Sequence, residues 1–245
     1  MKQSGELDDP RRRLLVQALS AGFFSAGWTS QAMADIFGST PSQLPPGQSV
    51  YRVSGVATVN GAPATLKTRI GPKDTVETGR DGEIVFVVGS SSFILRNSSR
   101  LVLDGRQEGD NAITSALRLV TGKLLSVFGK SDRQIRMQST TATIGIRGTG
   151  VYMESEPDQT YFCTCYGIAD ISAADDPESK DTVSASHHDR PLYIMNDAKA
   201  KGRNIRRAPF KNHSDPELML IETLVGRSPP FVFPGSEYDA PRRDY

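Results

Sequence analysis

From Val50 onward, short runs of β-branched and aromatic residues alternate with glycine, asparagine or aspartate at intervals of roughly ten residues, the cadence of a chain built from many short strands. Val50 to Val53 opens the series. Ala57-Thr58-Val59 and Ala64-Thr65-Leu66 flank Asn60-Gly61, two residues that tolerate positive φ and so read as a hairpin turn. Val76-Glu77-Thr78, a Gly79–Gly82 turn and Glu83 to Val88 follow. Phe93 to Arg96 and Arg100 to Leu103 then flank Asn97-Ser98-Ser99, and Asp104-Gly105 closes that piece. Alternation continues in Gln134-Ile135-Arg136-Met137 and in Ala142-x-Ile144-x-Ile146, so one face of each piece can be buried. Leu117 to Phe128, with Gly122 inside it, reads equally as a helix or a strand pair. The fold class is therefore mainly β: an antiparallel sandwich, a barrel or a short β-solenoid, with no fixed-length repeat to choose among them.

The C-terminal part changes character. Ala174 to Ser186 is polar and reads as a loop, and Pro191 to Met195 as one more strand. Lys199 to Arg207 carries five basic residues and no acidic one, as a solvated linker does. Ser214-Asp215-Pro216-Glu217 has the residue types of a helix start, with Ser214 as the cap. Leu218, Ile221 and Leu224-Val225 fall on one face at helical spacing, and Gly226 ends it. That helix packs on the β-domain or docks to a partner. Residues 229–245 read as an irregular tail.

Thr141 to Thr149, with the I-R-G-T core Ile146-Arg147-Gly148-Thr149, precedes a strand-like run from Thr160 to Gly167. The pair resembles the signature of FecR-type domains, all-β modules of the bacterial envelope, in which a T-P-x-A-x-x-x-V-R-G-T segment precedes a T-x-V-x-V-x-x-G-x-V-x-V strand pair. Thr160, Phe162, Thr164, Gly167, Ala169 and Ile171 fall on the second pattern. Ser139-Thr140 stands where the family has Thr-Pro. The resemblance covers Val50 to Ile171 and implies an exported sensing or scaffolding module that is not an enzyme. It also favours strands for Lys123 to Phe128. Within it, Ala142, Ile144 and Ile146 point inward at period two. Gly145 and Gly148 permit close backbone approach or a bulge, and Thr143 and Thr149 suit a pleated surface. Arg147 either contacts a partner or clamps carbonyls or a carboxylate such as Glu154 or Asp170 inside the domain. Gly167 completes the signature.

Residues 1–34 read as an export signal. Lys2 and Arg11 to Arg13 supply a basic start, Leu14 to Trp28 an apolar stretch, and Ala32-Met33-Ala34 a small-x-small cleavage site. Arg11 and Arg12 before Leu14-Leu15 suit a twin-arginine signal as well as an ordinary secretory one; an uncleaved segment would be a membrane anchor. Residues 35–49 form a proline-containing lead-in, 50–172 the β-domain and 173–228 an extension. The signal holds four of the 29 basic and three of the 28 acidic side chains, so the remainder is formally neutral and has no electrostatic footprint for nucleic acid. The expected location is the periplasm or another exported compartment of a bacterium, and the expected partner an envelope protein or a cell-surface glycan. The few residues before Leu14 are not expected to hold the anti-sigma segment that precedes the membrane span in sigma-regulating members of that family.

Cys163 and Cys165 are the only cysteines, and His187-His188 are two of three histidines. In a strand the two cysteines share a face with Cα atoms about 6.5 Å apart, near the upper limit for a disulfide. Three states stay open: a disulfide, two buried thiols, or a metal site of Cys163, Cys165, His187 and His188. Two thiolates and two imidazoles suit zinc or copper; otherwise no cofactor is expected. Adjacent histidines in an extended chain point to opposite faces, so both ligate only from a turn. The signature puts Phe162 and Thr164 on core positions and the cysteines on the other face. No nucleophile elbow, phosphate loop or zinc-protease helix motif occurs, and no catalytic residue is assigned.

Overall fold

A computed structural model describes residues 42–108, 111–129 and 134–231. Arg11, Arg12, Ala32 and Ala34, expected in an export signal, and most of the tail lie outside the described residues. The fold is mainly β. The strands are β1 (Val50–Ser54), β2 (Ala57–Val59), β3 (Ala62–Pro63), β4 (Thr75–Thr78), β5 (Glu83–Val88), β6 (Ser91–Leu95), β7 (Arg100–Glu108) and β8 (Asn111–Val127). They continue with β9 (Ile135–Gln138), β10 (Ala142–Ser155), β11 (Gln159–Ala173), β12 (Lys180–Ala185), β13 (Leu192–Met195) and β14 (Ile205–Arg207). Among the described residues one α-helix, α1 (Asp215–Leu224), follows them. The strands form one hydrogen-bonded network, β14-β13-β11-β10-β9-β8-β7-β4-β2-β3, with β12 on β11 and β1-β5-β6 reaching β8. All pairings are antiparallel except β8 with β9.

Long strands change partners along their length. β8 is a single strand rather than a helix or a strand pair: its first part pairs with β7 and β9, its last six residues with β6 and β10. Gly122 sits at the change with φ 92, and a Cβ there would lie 2.5 Å from the Cα of Ser99. β10 and β11 change partners at a bulge, where the register passes from Arg147↔Ile168 to Gly150↔Tyr166. Gly148 (φ 54) and Gly167 (φ 93) face one another there, which only residues without a Cβ do at low cost.

The strand faces segregate cleanly. Ala142, Ile144, Ile146, Val151, Met153 and Phe162 are buried in the main core, together with Phe86, Phe93, Leu95 and Leu124. The other face carries a row in register across five strands, Val85, Ile94, Leu125, Tyr152 and Cys163, all buried. α1 covers that face from the β6–β8 side with Leu218, Leu220, Ile221 and Leu224 buried. Burying a large apolar side chain contributes about 1.5–3 kcal/mol, so the second face is a substantial part of the stabilisation.

Several expectations need correction. The second hairpin arm is β3, two residues directly after Asn60-Gly61, and Leu66 is exposed. Lys180–Ala185, expected in a loop, is an edge strand whose Val183 and Ala185 are buried. The basic linker includes β14 and a 3-10 turn at Ala198–Ala200. Ser214 precedes α1, but its hydroxyl makes no capping bond to the helix backbone; it donates to Glu217 Oε2 at 3.0 Å. Arg147 meets the Asp170 carboxylate, one of the two expected partners, at 3.4 Å, but on the surface rather than inside the domain, its side chain 56% exposed; Glu154 pairs with Lys211 instead.

Candidate metal centre

The edge of β11 has a gap. β13 pairs with residues 159–162 and β12 with 167–172, which leaves Cys163 to Tyr166 without a strand neighbour on that side. The β12–β13 connection fills it. The Asp189 carboxylate accepts from the backbone N–H and hydroxyl of Ser186, at 2.6 and 3.0 Å, and closes a tight loop. The His188 N–H donates to the Cys165 carbonyl at 2.9 Å in place of a strand ladder. His188 takes φ 53, a conformation sparsely used by residues with a Cβ and one that clusters at functional sites. The loop thereby lays His188 over the two cysteines.

A second segment, Lys211 to His213, leads into α1. Lys211 donates its N–H to the Tyr161 hydroxyl at 3.3 Å, Asn212 Nδ2 donates to Glu154 Oε1 at 2.7 Å, and Arg96 holds the Asn212 carbonyl at 3.0 Å. Lys211 Nζ lies 2.9 Å from Glu154 and over the Tyr161 ring. Burial of Glu154 pushes its carboxyl up, but the bonds from Asn212, Tyr152 and Lys211 outweigh it and hold the group below the ordinary value. His213 is thereby fixed, stacked on Tyr152 with centroids 4.5 Å apart.

Cys163, Cys165, His188 and His213 thus converge, each offering one donor atom, all within 4.8 Å of one another. His188 Nδ1 is 3.5 Å from Cys163 Sγ and 3.1 Å from His213 Nε2. Both thiols are free, so the disulfide reading does not describe this state. Both cysteines are 0% exposed and His213 is 1% exposed. The far nitrogen of each imidazole is committed: His188 Nε2 faces Asp215 Oδ1 at 2.9 Å, and His213 Nδ1 faces the Lys211 carbonyl at 2.7 Å. Both partners accept only, so both far nitrogens carry the protons. For neutral rings the lone pairs of His188 Nδ1 and His213 Nε2 then point at each other and at two sulfurs, an arrangement that a shared proton or a cation resolves.

Without an ion the charges of the cluster favour the shared proton. Burial pushes the Cys163 thiol up, but its contacts with Cys165, His213 and His188 bring it well below the ordinary range. Burial and the neighbouring Cys163 hold the Cys165 thiol well above it. Burial lowers His188, yet Asp215 and Cys163 raise it to about 9, whereas burial leaves His213 below its usual value.

His187, expected among the ligands, is not in the four-atom cluster. Its Nε2 lies 2.8 Å from Asp215 Oδ2, and the fourth donor is His213 instead. Of the strand signature, Phe162, Thr164 and Gly167 share β11 with the two cysteines, but no signature residue supplies a donor to the centre. Thr143 and Gly145 sit in β10 opposite Ser172 and Asp170, and Gly148, Thr149 and Gly167 form the bulge. Among the described residues no helix is long and apolar enough to cross a membrane.

No family model matches this sequence, and no curated protein matches it. Two crystal structures of a candidate anti-sigma factor from Parabacteroides distasonis ATCC 8503 superpose on part of the chain. They are 8% and 6% identical, with TM-scores of 0.43 and 0.42, and cover 55% of this chain. This chain spans 58% of their length, little more than half.

Proposed function

We propose that this chain is a non-enzymatic β module whose Cys163, Cys165, His188 and His213 hold one d10 metal ion, zinc or monovalent copper, as a structural staple. The supporting observation is the donor geometry. A tetrahedral zinc with bonds of about 2.3 Å to sulfur and 2.05 Å to nitrogen sets imidazole nitrogens roughly 3.4 Å apart and sulfur and nitrogen roughly 3.6 Å apart. The corresponding separations are 3.1 and 3.5 Å. Asp215 and the Lys211 carbonyl occupy the outer positions that orient ligating imidazoles.

Four protein donors leave no open coordination position, and the buried sulfurs offer no approach to a substrate, which supports a structural rather than a catalytic ion. The ion would join β11, the β12–β13 loop and the segment before α1. The basic, apolar and small-residue order of residues 1–34 and the strand signature support an exported module that binds an envelope protein or a cell-surface glycan. Metal analysis of natively purified chain, with a thiol count after denaturation, tests the reading. One zinc or copper per chain, lost in Cys163→Ser/Cys165→Ser, is expected; two thiols and no metal would overturn it.

A further inference from the structure

We infer that His187 and Asp215 form an entry site for the incoming divalent cation, which passes from this outer pair onto the buried cysteines and His213 by way of His188. The inference rests on the metal reading above and concerns how the centre is filled.

Among the described residues the buried set has no direct approach. Its sulfurs are fully covered, and the His188 side chain is 8% exposed. Phe210 lies against both ligating rings, 4.3 Å from His188 and 4.4 Å from His213. His187 is different: its side chain is 31% exposed, although it leans on Phe231 at 4.6 Å. It belongs to a second convergent group, His187, His188 and Asp215, whose donor atoms also lie within 4.8 Å of one another. The two groups share His188. The Asp215 carboxylate spans them, with Oδ2 on His187 and Oδ1 on His188.

A hydrated divalent cation cannot shed its whole shell in one step. Imidazole and carboxylate are suitable first ligands, and thiolates hold a borderline-soft ion more firmly once it reaches them. His187 is the partly exposed donor, and the Asp215 carboxylate, itself fully buried, bridges it to His188; the order of increasing hold is therefore His187 with Asp215, then His188, then the two sulfurs and His213. At the entry pair the cation replaces the proton that His187 Nε2 shares with Asp215, and at the centre it replaces the protons of the thiols; these protons leave to solvent.

The competing role for His187 is a prop that steadies Asp215. The two roles predict opposite changes in the release rate. Losing an entry ligand slows uptake and release together, because both cross the same barrier. Losing a prop loosens the site and speeds release.

The test is stopped-flow zinc uptake by the metal-free full chain and zinc release from the loaded chain to a chromogenic chelator. In His187→Ala both rates should fall, on the scale of the about 10- to 100-fold effects of groups around a metal, with their ratio nearly unchanged. Imidazole added to the buffer should restore the rates of His187→Gly. Unchanged rates, faster release, or slow release without slow uptake overturn the entry site while leaving the four-ligand centre standing. A wild-type chain that takes up no zinc overturns both.

Discussion

Asp215→Asn changes almost no volume and removes the one group that faces both His187 and His188. The carboxylate accepts from two imidazole N–H donors, at 2.8 and 2.9 Å. An amide offers one acceptor oxygen and one NH2, so one of the two imidazoles must meet a donor. If that ring is His188, its proton moves to Nδ1 and the lone pair that faces the sulfurs is lost. If it is His187, His188 still exchanges a charged acceptor for a weaker neutral one. Loss of such an orienting group costs about 10- to 100-fold in metal affinity, equivalent to about 1.4–2.8 kcal/mol. Asp215 also opens α1, where a carboxylate contributes about 0.3–1 kcal/mol with the helix dipole, a term present with and without metal. Competition against a chromogenic chelator at neutral pH measures the first effect, and thermal melts in excess chelator isolate the second. A zinc affinity equal to wild type would refute the assignment of Asp215 as the group that orients His188.

Arg147→Ala removes only an exposed ion pair at 3.4 Å and should change stability by less than about 1 kcal/mol in urea melts; a larger loss would mean a buried role. Gly167→Ala places a Cβ 2.3 Å from Thr149 Cγ2 at φ 93 and should cost about 1–3 kcal/mol, read as a lowered melting temperature. Leu125→Ala, in the row beneath the C-terminal segment, should cost about 2–5 kcal/mol, and a near-neutral value would show that face to be loosely covered. Glu154 is held below its ordinary 4.5, so its contribution is present above that pH and is lost as pH falls beneath it. Glu154→Gln should therefore flatten the fall in stability between neutral pH and about pH 3, compared by urea titration.

The strand cadence was readable because turn residues such as Asn60-Gly61 act locally and because alternation in Ala142, Ile144 and Ile146 reports a buried face directly. β12 was not readable. It is an edge strand with only Val183 and Ala185 turned inward among charged and polar neighbours, so its composition is that of a loop. Arg147 escaped for the reverse reason: a residue type suited to interior clamping stands on a surface that only the tertiary fold reveals. The cysteine pair was legible from its spacing, since residues two apart on a strand share a face. The fourth donor was not. His213 lies beside a helix start whose Ser214, Asp215 and Pro216 explain the local sequence without it, and it reaches the cysteines only because Glu154, Arg96 and Tyr152 fix its segment. The choice between His187 and His188 depended on a left-handed turn at a residue other than glycine, for which the sequence carries no local mark.

X-ray absorption at the metal edge of natively purified chain tests the centre most directly. The account predicts a first shell of two sulfurs at about 2.3 Å and two imidazole nitrogens at about 2.0–2.1 Å, with one nitrogen lost in His213→Ala and none in His187→Ala. A shell of oxygens, or one that keeps both nitrogens in His213→Ala, would contradict it.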